Sequence, residues 1–154
     1  MVVKTGYRAE SYEARALEAL SRSSPKTGLT LSGVAAKGSM GRPAAEEVLT
    51  RLGRTGLVDV PDSRFSGQYR LGPPSENLVE AMQVFEKHGA IDTSSVVPAS
   101  EFTGKALAGI KLMVETQLVL QKEMIVPKDR ENMPAYELTQ GGVATTRFVV
   151  DHIL

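Results

Sequence analysis

The sequence contains no cysteine and no tryptophan, has two histidines, and draws only 5% of its residues from the aromatics. Without cysteine, disulfides and thiolate metal sites are excluded. No apolar run approaches the roughly 20 residues that cross a bilayer, the longest candidate being interrupted by Lys111, Glu115 and Gln117. The start, Met1 to Tyr7, lacks the long apolar core of a signal peptide. A cytoplasmic protein without a membrane partner is therefore expected. Net charge is absent as well, since 18 Lys/Arg balance 18 Asp/Glu, and a strongly basic binder of nucleic acid over the whole length is excluded.

What is present is a composition that folds, with 42% hydrophobic and 23% charged residues over 154 positions. The zero net charge hides an asymmetry. Residues 1–77 hold eleven Lys/Arg against eight Asp/Glu, a net of +3, whereas residues 78–154 hold seven against ten, a net of −3. Any contact with a polyanion belongs to the first half.

Between Ser11 and Leu20, the apolar Tyr12, Ala16, Leu17 and Leu20 share one helical face. A breaker-rich loop, 21–28, leads to a short strand at Leu29-Thr30-Leu31 and to Ser32, the expected cap of a second helix over Gly33 to Lys37. After the turn Gly38 to Gly41, Arg42-Pro43 opens a third helix with Pro in its first turn. Its buried stripe is Ala45, Val48, Leu49 and Leu52, and it ends between Gly53 and Gly56. Leu57 to Val60 and Gln68 to Leu71 then form a hairpin around Pro61 to Gly67. Three helices and a hairpin, with a tight turn between helices two and three, make a helix-turn-helix with a wing.

The second half repeats the pattern. A helix face runs through Leu78, Ala81, Met82 and Phe85; a short helix is expected over Ser95 to Phe102 and a longer apolar one over Lys105 to Gln121, buried on more than one side. Met124 to Val126 and Ala135 to Leu138 form a second hairpin around the loop Pro127 to Pro134. Leu57-Val58 and Tyr69, Leu71 recur as Met124-Ile125 and Tyr136, Leu138, all at an offset of 67. The fold class is α+β, mostly helical, with two tandem three-helix units that each carry a hairpin wing, over residues 8–73 and 75–154. The alternative is one such unit followed by a helical dimerisation extension.

The stretch from Leu31 to Val58 resembles, without gaps, the helix-turn-helix of bacterial winged-helix regulators of the IclR and MarR families. Ala35 lies where two helices cross, Met40 fills the apolar turn position, and Gly56-Leu57-Val58 matches the lead into the wing. Gln68 to Pro73 is similar to the wing exit of IclR-type domains, and Tyr136 to Gly142 to that of PadR- and MarR-type domains. The resemblance implies a DNA-binding transcription regulator; no IclR-type effector domain follows, so that family's small-molecule function is not implied. Departures are Ser39 where Gly is common, Gly41 where a Ser or Thr cap is common, and Glu46 and Glu47 where regulators present Arg, Gln or His.

On this reading Arg42 enters the major groove, flanked by Lys37, Ser39, Thr50 and Arg51, while Arg64 at the wing tip and Arg70 reach the minor groove or a phosphate. Phe65 beside Arg64 wedges into a groove or folds back on the wing. Gly104-Lys105 lacks the first Gly and the Ser/Thr of a phosphate-binding loop. His88 and His152 lie near helix ends, where the helix dipole accounts for them. No nucleophile, base and orienting group form a motif, so neither an enzyme nor a cofactor is expected. The partners expected are double-stranded DNA through residues 1–77 and a second copy or another protein through residues 78–154. Leu112, Leu118, Phe148, Val149 and Ile153 are the candidate association residues. The rival reading is a tandem winged-helix scaffold, like ScpB-type or ESCRT-II-type subunits, that grips proteins and binds little or no DNA.

Overall fold

A computed structural model of the chain describes residues 11–23, 28–63, 67–126 and 131–153. Six α-helices and two small antiparallel sheets make up these residues, divided into the compact units Met1–Pro74 and Ser75–Leu154.

In the first unit α1, Tyr12–Ser21, begins where the Ser11 hydroxyl accepts from the Ala14 N–H at 3.1 Å, and it buries Ala16, Leu17, Ala19 and Leu20. Helix α2 spans Leu31–Lys37 and is capped by Thr30, whose side chain accepts from the Gly33 N–H at 3.1 Å. The expected cap Ser32 is instead an exposed residue of the helix. The physical reason is Leu31: starting the helix at this residue carries its side chain into the core. Helix α3, Arg42–Thr55, has Pro43 in its first turn, and it buries Ala45, Val48, Leu49, Leu52 and Thr55. It passes through Gly53 and stops at Gly56, whose φ of +85° is one that glycine adopts without strain.

Strands β1, Val58–Asp59, and β2, Arg70–Leu71, are antiparallel. Leu29 alone of the expected first strand is paired, exchanging hydrogen bonds of 3.0 and 2.7 Å with Tyr69. The lateral order is thus Leu29, then Tyr69 to Leu71, then β1.

The second unit opens with α4, Glu76–Lys87, burying Leu78, Ala81, Met82 and Phe85. The helix expected over Ser95 to Phe102 is replaced by β3, Val96–Pro98, and a single 3-10 turn, Ala99–Glu101. Two β-branched valines favour the strand, and Val97 is fully buried opposite Tyr136. Helix α5 covers only Lys105–Glu115. Gln117 turns the chain at φ +62°, so Leu118 drops into the core and Val119 starts β4, Val119–Val126. The helix has one buried face, made of Ala106, Gly109, Ile110 and Met113, and Leu107 stands 42% exposed, so burial on several sides is overturned.

Strand β5, Glu131–Leu138, pairs with β4 from Val119↔Leu138 to Val126↔Glu131, a longer hairpin than expected. Pro134 belongs to β5 rather than to the loop; it lies beyond the last rung shared with β3, where its missing N–H is tolerated. The sheet order is β3-β5-β4. Helix α6, Gln140–His152, starts at Thr139, whose hydroxyl accepts from Gly142 N–H at 3.0 Å and donates to the Gln117 carbonyl at 2.9 Å. A ring cluster of Phe85, Phe102 and Tyr136, with centroids 5.3 and 5.4 Å apart, fills the space between α4 and the sheet.

The internal correspondence is not at one offset. Ala45, Leu49, Leu52, Thr55, Leu57 and Val58 match Ala106, Ile110, Met113, Thr116, Leu118 and Val119 at 61 residues, and all twelve are buried. Leu71 and Leu138 keep the expected 67: the Leu57 carbonyl accepts from Gly72 N–H at 2.8 Å, and the Leu118 carbonyl from Thr139 N–H at 3.0 Å. The second hairpin is longer by six residues, so Met124-Ile125 is not the counterpart of Leu57-Val58.

Candidate nucleic-acid interface

Three predicted contact residues lie around one turn. Lys37 ends α2, Ser39 forms the turn, and Arg42 begins α3; all three are exposed. The turn closes α2 through two bonds, Ser39 N–H to the Ala36 carbonyl at 3.3 Å and Met40 N–H to the Ala35 carbonyl at 2.9 Å. This places Ser39 at φ +54°, a left-handed conformation that costs a side chain about 1 kcal/mol. A further residue supports it, one that periodicity alone marks only as polar. Arg15 of α1 donates to the Ser39 carbonyl at 3.4 Å, with its guanidinium 5.7 Å from the Tyr12 ring. The spacing of Tyr12 and Arg15 at i, i+3 is the sequence signal that finds it.

Thr50 is exposed two turns along α3 from Arg42, with its hydroxyl donating to the Glu46 carbonyl at 2.8 Å. Arg51 is placed differently. Its guanidinium meets Glu47 at 2.7 Å and the buried Glu13 of α1 at 3.2 Å, so it joins α3 to α1 and is withdrawn from the surface expected to face DNA. Arg70 is exposed on β2, its stem running beside Gly28 on the Leu29 side of the sheet. Arg64 and Phe65 lie outside the described residues. Among the described residues Lys37, Arg42 and Arg70 take part in no ion pair. The structure therefore gathers Lys37, Ser39 and Arg42, sets Thr50 further along the same helix, and separates Arg51.

The predicted association residues of the second unit divide in two. Leu118 and Val149 are fully buried within their own unit. The strand start at Val119 and the inward face of α6 consume them, so they offer nothing to a partner. Leu112 is half-buried, Phe148 is half-buried and stacked on His152 at 4.6 Å, and Ile153 is exposed. Val96, Leu107 and Leu120 are exposed apolar residues; Leu107 and Leu120 were expected on the helix buried on more than one side, and Val96 in a short helix, whereas Leu120 and Val96 stand on strands.

Lys105, considered above as part of a phosphate loop, is ion-paired with Glu76 of α4; that hydrogen bond, with the carboxylate's charge, raises its pKa. His88 meets Glu101 at 2.9 Å. No group of three or more His, Asp or Glu suited to a metal occurs among the described residues, and none of their helices is long and apolar enough to cross a membrane. Comparison of the chain with protein-family models, with curated proteins and with solved structures finds no match.

Proposed function

We propose that this protein is a cytoplasmic DNA-binding transcription regulator made of two winged-helix units, the first reading duplex DNA and the second serving association. The observation that carries the reading is the exposed group Lys37, Ser39 and Arg42 around the turn that opens α3. In a helix-turn-helix this is the end of the third helix that enters the major groove. Support for a winged helix in each unit comes from strand order: Leu29, β2 and β1 in one, β3, β5 and β4 in the other, each with its third helix leading into the hairpin. The shared core register of α3 and α5 supports it further. In the second unit the 3-10 turn Ala99–Glu101 comes between β3 and α5 in chain order, as α2 comes between Leu29 and α3 in the first.

The second unit favours a different partner. At the places of Glu46, Glu47 and Arg51 on α3, α5 carries Leu107, Ala108 and Leu112. Together with the net charge of −3, this face suits a protein or a second copy better than phosphates. If both units grip proteins, the chain is a tandem winged-helix scaffold. A salt titration of full-length protein on mixed genomic duplex fragments separates the two. The regulator binds, and its affinity falls steeply as salt rises; the scaffold does not bind at low salt.

A further inference from the structure

Helix α6 turns Gly141, Gly142, Thr145, Thr146 and Val149 inward. Its opposite face runs along Ala144, Arg147 and Asp151, with Phe148 on one flank and Val150 on the other. Ala144, Phe148 and Val150 are half-buried, whereas Arg147 and Asp151 are exposed. The His152 ring stacks on Phe148, with planes 19° apart, and holds it on its flank. Arg147 and Asp151 lie one turn apart, and among the described residues neither is met by an opposite charge. Arg147 donates to the Ile91 carbonyl through a long bond of 3.5 Å. The two do not pair with each other, since base before acid at i, i+4 is the weaker order on a helix. Asp151 also stands in the last turn of α6, where the negative end of the helix dipole opposes it. A cation brought from outside the chain would offset both costs.

We infer that α6 packs antiparallel on α6 of a second copy, about a two-fold axis level with Val149, so that Arg147 of each copy faces Asp151 of the partner subunit. The step rests on the association role proposed above for the second unit. In a two-fold contact each pair occurs twice, so both charges of both copies are answered. The same axis sets Phe148 against Phe148 of the partner subunit on one flank, and Val150 against Val150 of the partner subunit on the other. Apolar contacts thus border the charged line on both sides. A parallel arrangement would set arginine on arginine and aspartate on aspartate. A purely acidic or purely basic partner would answer one charge and repel the other. The face is complementary to itself, and that selects a second copy.

The test is sedimentation equilibrium of the full chain as the parent, Arg147→Asp, Asp151→Arg and the double exchange Arg147→Asp with Asp151→Arg. The parent sediments as a dimer at micromolar concentration, and the dimer weakens as salt rises. Each single reversal sets like charges opposite one another and weakens self-association by about tenfold or more. The double exchange restores the parent's affinity. A mixture of the two single variants forms a one-to-one heterodimer, because one then presents two cations on this face and the other two anions. A variant that had lost its fold would recover nothing on mixing, so the mixture separates charge from folding. If the parent is a dimer and neither reversal weakens it, or if exchange and mixing both fail to restore association, the inference is overturned while the association role stands. A parent that is monomeric at high micromolar concentration also overturns it and leaves the second unit to a different protein. The salt titration on duplex fragments reads the first unit independently of either result.

Discussion

Arg51 on α3 reaches Glu13 on α1, thirty-eight residues earlier, at 3.2 Å, with their side chains 18% and 8% exposed. A pair this buried behaves as structure: removing one partner leaves the other's charge in a poorly solvated place. Arg51→Ala should destabilise the protein by roughly 3 kcal/mol, read from urea unfolding. Arg42→Ala, at an exposed position, should change stability by less than about 0.5 kcal/mol and weaken specific DNA binding by roughly 1–3 kcal/mol. Equal stability losses in the two variants would contradict this division of roles.

Four helix ends among the described residues pass through the left-handed region, at Ser39, Gly56, Gly89 and Gln117. Gly56 and Gln117 are counterparts in the two units, and only one is glycine. Gly56→Ala should cost about 1–2 kcal/mol. Ser39→Gly and Gln117→Gly should each be neutral or stabilising by up to about 1 kcal/mol, relief of strain being partly offset by the greater freedom of glycine in the unfolded chain. Shifts of the denaturation midpoint measure all three, and a midpoint raised by Gly56→Ala would refute the assignment.

Gly109 lets α5 approach α4 closely. A Cβ added there would lie 1.9 Å from the Asn77 carbonyl oxygen, a backbone atom that side-chain rotation cannot move. Gly109→Ala should cost about 1–3 kcal/mol by overpacking, despite the better helix propensity of alanine. At Gly104, where an added Cβ meets nothing within 4 Å, the positive φ of +58° is the only obstacle. Comparing the unfolding of the two alanine variants separates crowding from backbone strain.

Asp92 accepts from the Ser94 and Ser95 N–H groups at 2.8 and 2.6 Å and from both hydroxyls. Hydrogen bonds to the charged form, led by that from the Ser94 backbone, lower its pKa below the ordinary 3.8. A depressed carboxylate stabilises the fold above the unfolded value, and that contribution disappears as pH falls through the folded one. Asp92→Ala should therefore unfold more readily than the parent near neutrality, with the gap narrowing once the pH drops below 3.8. Melting curves across acid pH check this, and a gap independent of pH would assign the loss to the turn alone.

Much of the first unit was legible because its signals are local. Ser11 before an apolar stripe, Pro43 in a first turn and Gly56 after a last one each act within a few residues, and all three stand where the periodicity put them. The second unit was less legible for a physical reason. Leu112 to Val114 and Leu118 to Leu120 are short apolar runs that suit a buried helix or a buried strand equally, and Gln117 between them carries no glycine-like mark of the turn it makes.

The sequence by itself determined the two-part division of charge, the absence of thiol chemistry, and the order of three helices and a small hairpin from α1 to β2, since these depend on composition and on neighbours three or four residues apart. Tertiary structure alone decided which polar side chains face water. Arg51 and Arg42 are the same residue type on one helix, yet α1 brings the Glu13 carboxylate to Arg51 and leaves Arg42 exposed. Leu118 and Val149 were likewise apolar residues of open destination until β4 and α6 folded them inward. A side chain's partner across thirty or more residues depends on how whole elements pack, and no spacing within one element encodes it.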